Sequence, residues 1–123
     1  MGYRVLLVSG ISVLKIGLSH LLNELIENIN IATASSLSEL FFALDKNEMH
    51  QLIIDVDIIG EKKVVLFLKN LKKRFPYMDI VVFYDHKDLG KINPKDIIGN
   101  FRFLSKKASL LQIKKVIAEV TII

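Results

Sequence analysis

QLIIDVDIIG, residues 51–60, is the stretch on which the reading of this chain turns. Leu52, Ile53 and Ile54 form an apolar run with no polar interruption, which predicts a strand buried on both faces. Asp55 stands where that strand ends, and Gly60 lets the following loop turn into a helix. Open α/β sheets gather their ligands outside the carboxyl ends of the strands, so this acid marks where chemistry is to be sought.

Outward from that strand, the same grammar repeats. RVLLV, residues 4–8, is a second apolar strand closed by Ser9 and Gly10. Leu14, Leu18, Leu21, Leu22 and Leu25 then recur at helical spacing, and Gly17 is expected to let that helix approach the sheet closely. Residues 29–33 form a short strand, and Ser36 with Glu39 forms a capping box before a helix faced by Leu37, Leu40, Phe41 and Leu44. Val64, Phe67, Leu68, Leu71 and Phe75 mark a third helix, stopped by Pro76. DIVVFY, residues 79–84, is a fourth strand and residues 101–104 a fifth. Between them Gly90 and Pro94 interrupt the chain, leaving only a short fourth helix over 94–98 with Asn93 as its cap. Ser109 with Gln112 caps the last helix, whose buried stripe is expected to hold Leu110, Ile113, Val116, Ile117 and Val120.

Strand and helix thus alternate five times, which predicts an α/β fold: a five-stranded parallel sheet with helices on both faces and right-handed crossovers. The flavodoxin-like order 2-1-3-4-5 puts the first and third strands side by side. Ser9, Gly10 and Asp55 then share one cleft with Tyr84 and Lys106. At 123 residues the chain is one domain, 1–123, with no linker or repeat.

Composition excludes several classes. There is no cysteine, which removes disulfides, thiolate zinc sites and cysteine nucleophiles. No segment reaches membrane-spanning length and no cleavable leader opens the chain, so a cytoplasmic location without membrane association is expected. The net charge of +4 is modest, and its lysines and arginines fall on helix faces and ends without interleaved aromatics. His20, His50 and His86 stand singly, with no ligand spacing, so no metal site is expected from them. SGISVLKIG lacks the three-glycine spacing of a dinucleotide loop. No nucleophile, base and oxyanion set assembles, and no catalytic residue is assigned: the chain is not expected to be an enzyme. An apolar fraction of 51% is high for so small a domain and points to surface covered by a partner.

RVLLVSGISVLKIGLSHLL (4–22), LIIDVDIIG (52–60) and FLSKKAS (103–109), with Gly99 before the fifth strand, resemble the response-regulator receiver domain, in particular the kind attached to LuxR-type helix-turn-helix domains. The resemblance implies a phospho-acceptor position at Asp55 and a phosphate-contacting lysine at Lys106. It also shows what has changed. Ser9 and Gly10 stand at the positions of the acidic pair, Tyr84 at that of the switch threonine or serine, and Ile59 at that of a common proline. Magnesium is a hard ion held by carboxylates and waters, so loss of the acidic pair is expected to leave little affinity for it and no cofactor. Asp57, which shares strand parity with Asp55, is the one acid available to rebuild the site. A plain Asp55–Lys106 ion pair is favoured over a working phospho-acceptor.

The resemblance therefore implies an atypical receiver: a phosphorylation-independent dimerisation and regulatory module of a transcription regulator, forming the N-terminal part of a longer chain. Its implied partner is a second copy through helices one and five, with Ile16, Leu111 and Ile122 apolar beyond the buried stripes. DNA is reached only through a domain outside this chain. Two alternatives stand beside it. One is a receiver phosphorylated on Asp55 by a histidine kinase in a two-component phosphorelay, and the other a pseudo-receiver whose degenerate cleft senses a small ligand.

Overall fold

The computed structural model describes residues 2–59, 64–84 and 101–121, with side chains through 116. Five strands form one parallel sheet: β1 (Tyr3–Val8), β2 (Ile29–Ala34), β3 (Gln51–Asp55), β4 (Asp79–Tyr84) and β5 (Phe101–Ser105). Their order is β2-β1-β3-β4-β5, as the alternation of strands and helices predicts. β3 is the middle strand and all five of its residues are buried, because a strand with neighbours on both edges and helices on both faces has no solvent side.

Alternation along the strands divides the core in two. Leu6, Val8, Leu52, Ile54, Ile80 and Val82 face α2 (Leu37–Lys46) and α3 (Val64–Arg74), which contribute Leu40, Leu44, Leu68 and Leu71. Val5, Leu7, Ile53, Val81, Phe83 and Leu104 face α1 (Ser12–Leu25) and α4 (Leu110–Thr121), which contribute Leu18, Leu21, Leu22, Ile113 and Val116. Full burial of one such leucine stabilises the fold by about 2 kcal/mol, so these two layers carry most of the driving force.

Local signals place the helix starts. Ser36 Oγ accepts the Glu39 N–H at 3.2 Å, and the Glu39 carboxylate reaches back to the Ser35 N–H at 3.1 Å. Ser109 Oγ accepts the Gln112 N–H while Gln112 Oε1 accepts the Ser109 N–H. Asn28 leaves α1 for β2 with φ of 55°, a left-handed conformation that asparagine tolerates, and its carbonyl accepts the Tyr3 N–H. The carbonyl comes so close to Gly2 that a Cβ there would lie 1.8 Å from the oxygen, which only glycine permits.

Some expectations fail. Gly17 does not approach the sheet: it is exposed, and a Cβ on it would meet no heavy atom within 4 Å. It sits at the edge of the leucine stripe, one turn from Val13 on one side and from Leu21 on the other. Leu110 is 60% exposed instead of buried, whereas Ile113 and Val116 further along α4 pack against the core. β2 runs one residue further than expected, to Ala34. The expected helix over 94–98 lies outside the described residues, as do Asn93, Gly60, Gly90, Gly99, His86 and Ile122. The helix read as the fifth is therefore α4 here. Among the described residues no helix is long and apolar enough to cross a membrane.

Candidate functional site

β3 delivers Asp55 to the carboxyl edge of the sheet, where it is 2% exposed. The chain then closes into a 3-10 turn, Val56–Ile58, capped by Asp55 itself: its Oδ1 accepts the Asp57 N–H at 3.0 Å. Val56 and Ile59 anchor that turn in the core, which leaves Asp57 turned outward. From β1, Ser9 Oγ donates to Asp55 Oδ2 at 3.0 Å and accepts the Ile11 N–H at 3.0 Å. From the turn after β5, Lys106 brings its ammonium 2.7 Å from Asp55 Oδ1 and 2.7 Å from Asp57 Oδ2.

Lys106 is fixed in that position from its backbone upward. Its N–H donates to the Tyr84 carbonyl at 2.7 Å, continuing the β4–β5 ladder by one bond. The Lys106 side chain is 16% exposed, against 63% for Asp57. Burial pulls the ammonium's pKa down, but the hydrogen bonds and charges of Asp55 and Asp57 outweigh it and hold the pKa above the usual lysine value. Lys106 is therefore charged at neutral pH and bridges both carboxylates.

Every oxygen of Asp55 is thus engaged: Oδ1 by the ammonium and an amide, Oδ2 by a hydroxyl. The Ser9–Ile11 bond extends the chain of contacts to the start of α1, so one network ties β1, β3, β5 and the first turn of α1 together. The cleft beneath it is small, lined by Leu7, Leu14, Ile53 and Phe83 beside Ser9 and Asp55. Among the described residues no three acidic, histidine or cysteine side chains come together.

The structure brings together Ser9, Asp55 and Lys106 as the topology predicts. Gly10 lies exposed in the loop and supplies no side chain. Tyr84 is turned to the other face. It shares parity with Ile80 and Val82, and its ring packs edge-to-face on Phe103 with centroids 6.3 Å apart. It therefore does not fill the space beside Asp55. Sequence reasoning gave Ser9 the meaning of a lost acid and missed that its hydroxyl bonds the acid that remains. It weighed Asp57 as a metal ligand and missed it as the second acceptor of Lys106. The i, i+2 spacing of the two aspartates was the available signal.

A five-stranded parallel sheet in this order, covered by helices on both faces and carrying an acid at the end of β3 opposite a lysine after β5, is the fold of response-regulator receiver domains. A receiver domain protein of Clostridium thermocellum superposes with a TM-score of 0.74 over 96% of this chain and 93% of that one, at 22% identity. A structure of two RcsB dimers bound to two parallel DNAs matches over 98% of this chain and 60% of that one, with a TM-score of 0.76 and 22% identity. In sequence, the transcriptional activator protein ExaE of Pseudomonas putida is 27% identical over 105 residues, covering 85% of this chain. The chain spans 49% of that relative's length. No protein-family model matches the chain.

Proposed function

We propose that this chain is an atypical receiver domain of a transcription regulator, acting as a dimerisation and regulatory module without phosphorylation. The observation that carries the reading is Asp55, 2% exposed with both carboxylate oxygens already occupied. An incoming phosphoryl group needs a carboxylate oxygen free to attack and a divalent cation to neutralise the charge on the migrating group. Here the donors available to such a cation are Asp55 and Asp57, and the Lys106 ammonium lies between them. A built-in cation of single charge replaces the exchangeable one of double charge, so the residues present do not suit magnesium. The reading assigns no catalysis to the chain.

The dimer part of the reading rests on the outer surfaces of α1 and α4, which pack side by side on one face of the sheet. Val13 and Ile16 on α1 and Leu110 and Leu111 on α4 are exposed, and Gly17 leaves open space beside Val13. An apolar surface of this kind on a small domain is stabilised by a second copy. The ExaE relative, of whose length the match covers 49%, supports placing the module in a longer regulator whose DNA contacts lie in another domain.

Incubation with acetyl phosphate and magnesium followed by intact mass measurement tests the first part. The mass is expected to stay unchanged, and a stoichiometric phosphoryl gain abolished by Asp55→Asn would reject it. Sedimentation at micromolar concentration tests the second. A dimer dissociated by Val13→Glu with Leu111→Glu is expected, and a strict monomer would sink the dimer claim.

A further inference from the structure

β2 ends the sheet on one side and pairs with β1 alone among the described residues. Two bonds fix the phase of that pairing: the Tyr3 N–H donates to the Asn28 carbonyl and the Ser9 N–H to the Ala34 carbonyl. A strand residue turns its N–H and C=O to the same side, and the side alternates. Even-numbered residues of β2 therefore serve β1, and the N–H and C=O of Ile29, Ile31 and Thr33 point off the sheet. Such an edge is a template for another strand, and folds ordinarily blunt it with a charge, a proline or a bulge. This one has none of the three. INIATA carries no charge and no proline, and its register with β1 runs residue for residue over all six positions.

Along the same edge, on the α1 side of the sheet, runs a groove of about 370 Å³. Ser12, Lys15, Ser19, His20 and Asn23 of α1 line it with Thr33 of β2, and no carboxylate does. Lys15 meets only a hydroxyl, Ser35 Oγ at 2.5 Å. Glu39, which also contacts Ser35, is committed to the capping box of α2. His20 is exposed and offers a ring N–H. Five residues separate Lys15 from His20, about 7.5 Å along a helix axis. Two same-face side chains of a strand stand about 6.8 Å apart, so neighbouring side chains on one face of an added strand span both donors.

We infer that β2 accepts a sixth strand, an extended acidic peptide from another protein. Its main chain pairs with Ile29, Ile31 and Thr33, and two acidic side chains on alternate residues bond Lys15 and His20. A second copy of this chain fits less well: two-fold pairing of β2 with itself would set two acid-free grooves and their lysines against each other. Ile16 stands on the rim, between the groove and Val13. The site is independent of Asp55.

The test uses this chain at fixed ionic strength with the capped peptide TETEVT, its counterpart TKTKVT, and TETEVT N-methylated at every second residue in each of the two phases. For TETEVT, saturable amide shifts at Ile29, Ile31 and Thr33 are expected, with slower hydrogen exchange at those three amides, and none for TKTKVT. One methylated phase is expected to lose binding and the other to keep it, because only alternate N–H groups of an added strand face β2. Lys15→Glu is expected to weaken TETEVT at least tenfold and His20→Ala several-fold, both with an unchanged Tm in the free chain. Absence of saturable shifts, an equal response to TKTKVT, equal binding of the two methylated phases, or unchanged affinity in Lys15→Glu would each overturn the proposal.

Discussion

The two ends of one sheet handle buried polarity in opposite ways. At the carboxyl end, Asp55 is nearly inaccessible and each of its oxygens has a donor: Lys106, the Asp57 amide and the Ser9 hydroxyl. At the amino end, the Tyr3 hydroxyl and both amide atoms of Gln51 are buried with none among the described residues. The contrast separates a satisfied site from an unsatisfied one. A satisfied network holds its elements in a single arrangement and repels exchange, whereas buried orphaned groups cost stability. The place where a receiver fold ordinarily does its chemistry is thus the sealed end of this molecule, and its unmet polar groups lie at the other.

The largest expected effect comes from unsealing the first end. Lys106→Met leaves the Asp55 carboxylate buried without its cation, which is expected to cost about 3–5 kcal/mol in urea denaturation. Adding Asp55→Leu should recover most of that loss, since an apolar pair of similar volume needs no desolvation of charge. Equal midpoints for the single and double variants would break the account of Asp55 as a buried, compensated charge. Ser9→Ala, which removes one hydrogen bond to that charge and one to the start of α1, is expected to cost about 2 kcal/mol by the same measurement.

The amino end predicts the opposite sign. Gln51→Met replaces two unpartnered polar atoms by an apolar side chain of similar length, and the denaturation midpoint is expected to rise by about 1 kcal/mol equivalent. A loss of stability there would show that the amide has a partner in solution and would erase the contrast. The smallest effect is a dependence on alkaline pH to which both ends contribute in the same direction. Lys106 has its pKa raised in the fold, so its contribution is complete below the unfolded lysine value near 10.4 and fades as pH rises through the folded one. The Tyr3 phenol is pushed up from 10.0 to about 12, first by burial and then by Asp79, so unfolded chains lose its proton while folded chains keep it. Stability measured at rising pH should therefore begin to fall near pH 10, and Tyr3→Phe should flatten part of the slope. A flat profile through that window would contradict both shifts.

Much of the frame was legible because its signals are short-range. The capping boxes at Ser36 and Ser109 need three residues each, and the leucine stripe of α1 needs two turns. The uninterrupted run at 52–54 predicts a central strand because only such a strand is covered on all sides. Gly17 misled because the wheel puts it at the edge of the stripe, midway between exposed Val13 and buried Leu21, and only the fold leaves it on the solvent side. Leu110 misled because a stripe read from spacing continues to the cap, whereas the core contacts of α4 are made by Ile113 and Val116.

What the sequence determined by itself is the alternation of strands and helices, the position of Asp55 at the end of the central strand, and the absence of a carboxylate at Ser9 and Gly10. These follow from periodicity and from residue identity. Only the tertiary structure decided what Asp55 does with its lone pairs. The 3-10 turn directs the Asp57 amide inward and its carboxylate outward, and the β4–β5 ladder sets Lys106 between the two acids. Strand parity sends the Tyr84 ring to the far face, onto Phe103. The groove beside β2 likewise belongs to no motif, because it forms between a helix face and a strand edge that meet only in the fold. Hydrogen bonds discriminate over fractions of an ångström, and those distances exist only once the sheet has brought remote segments together.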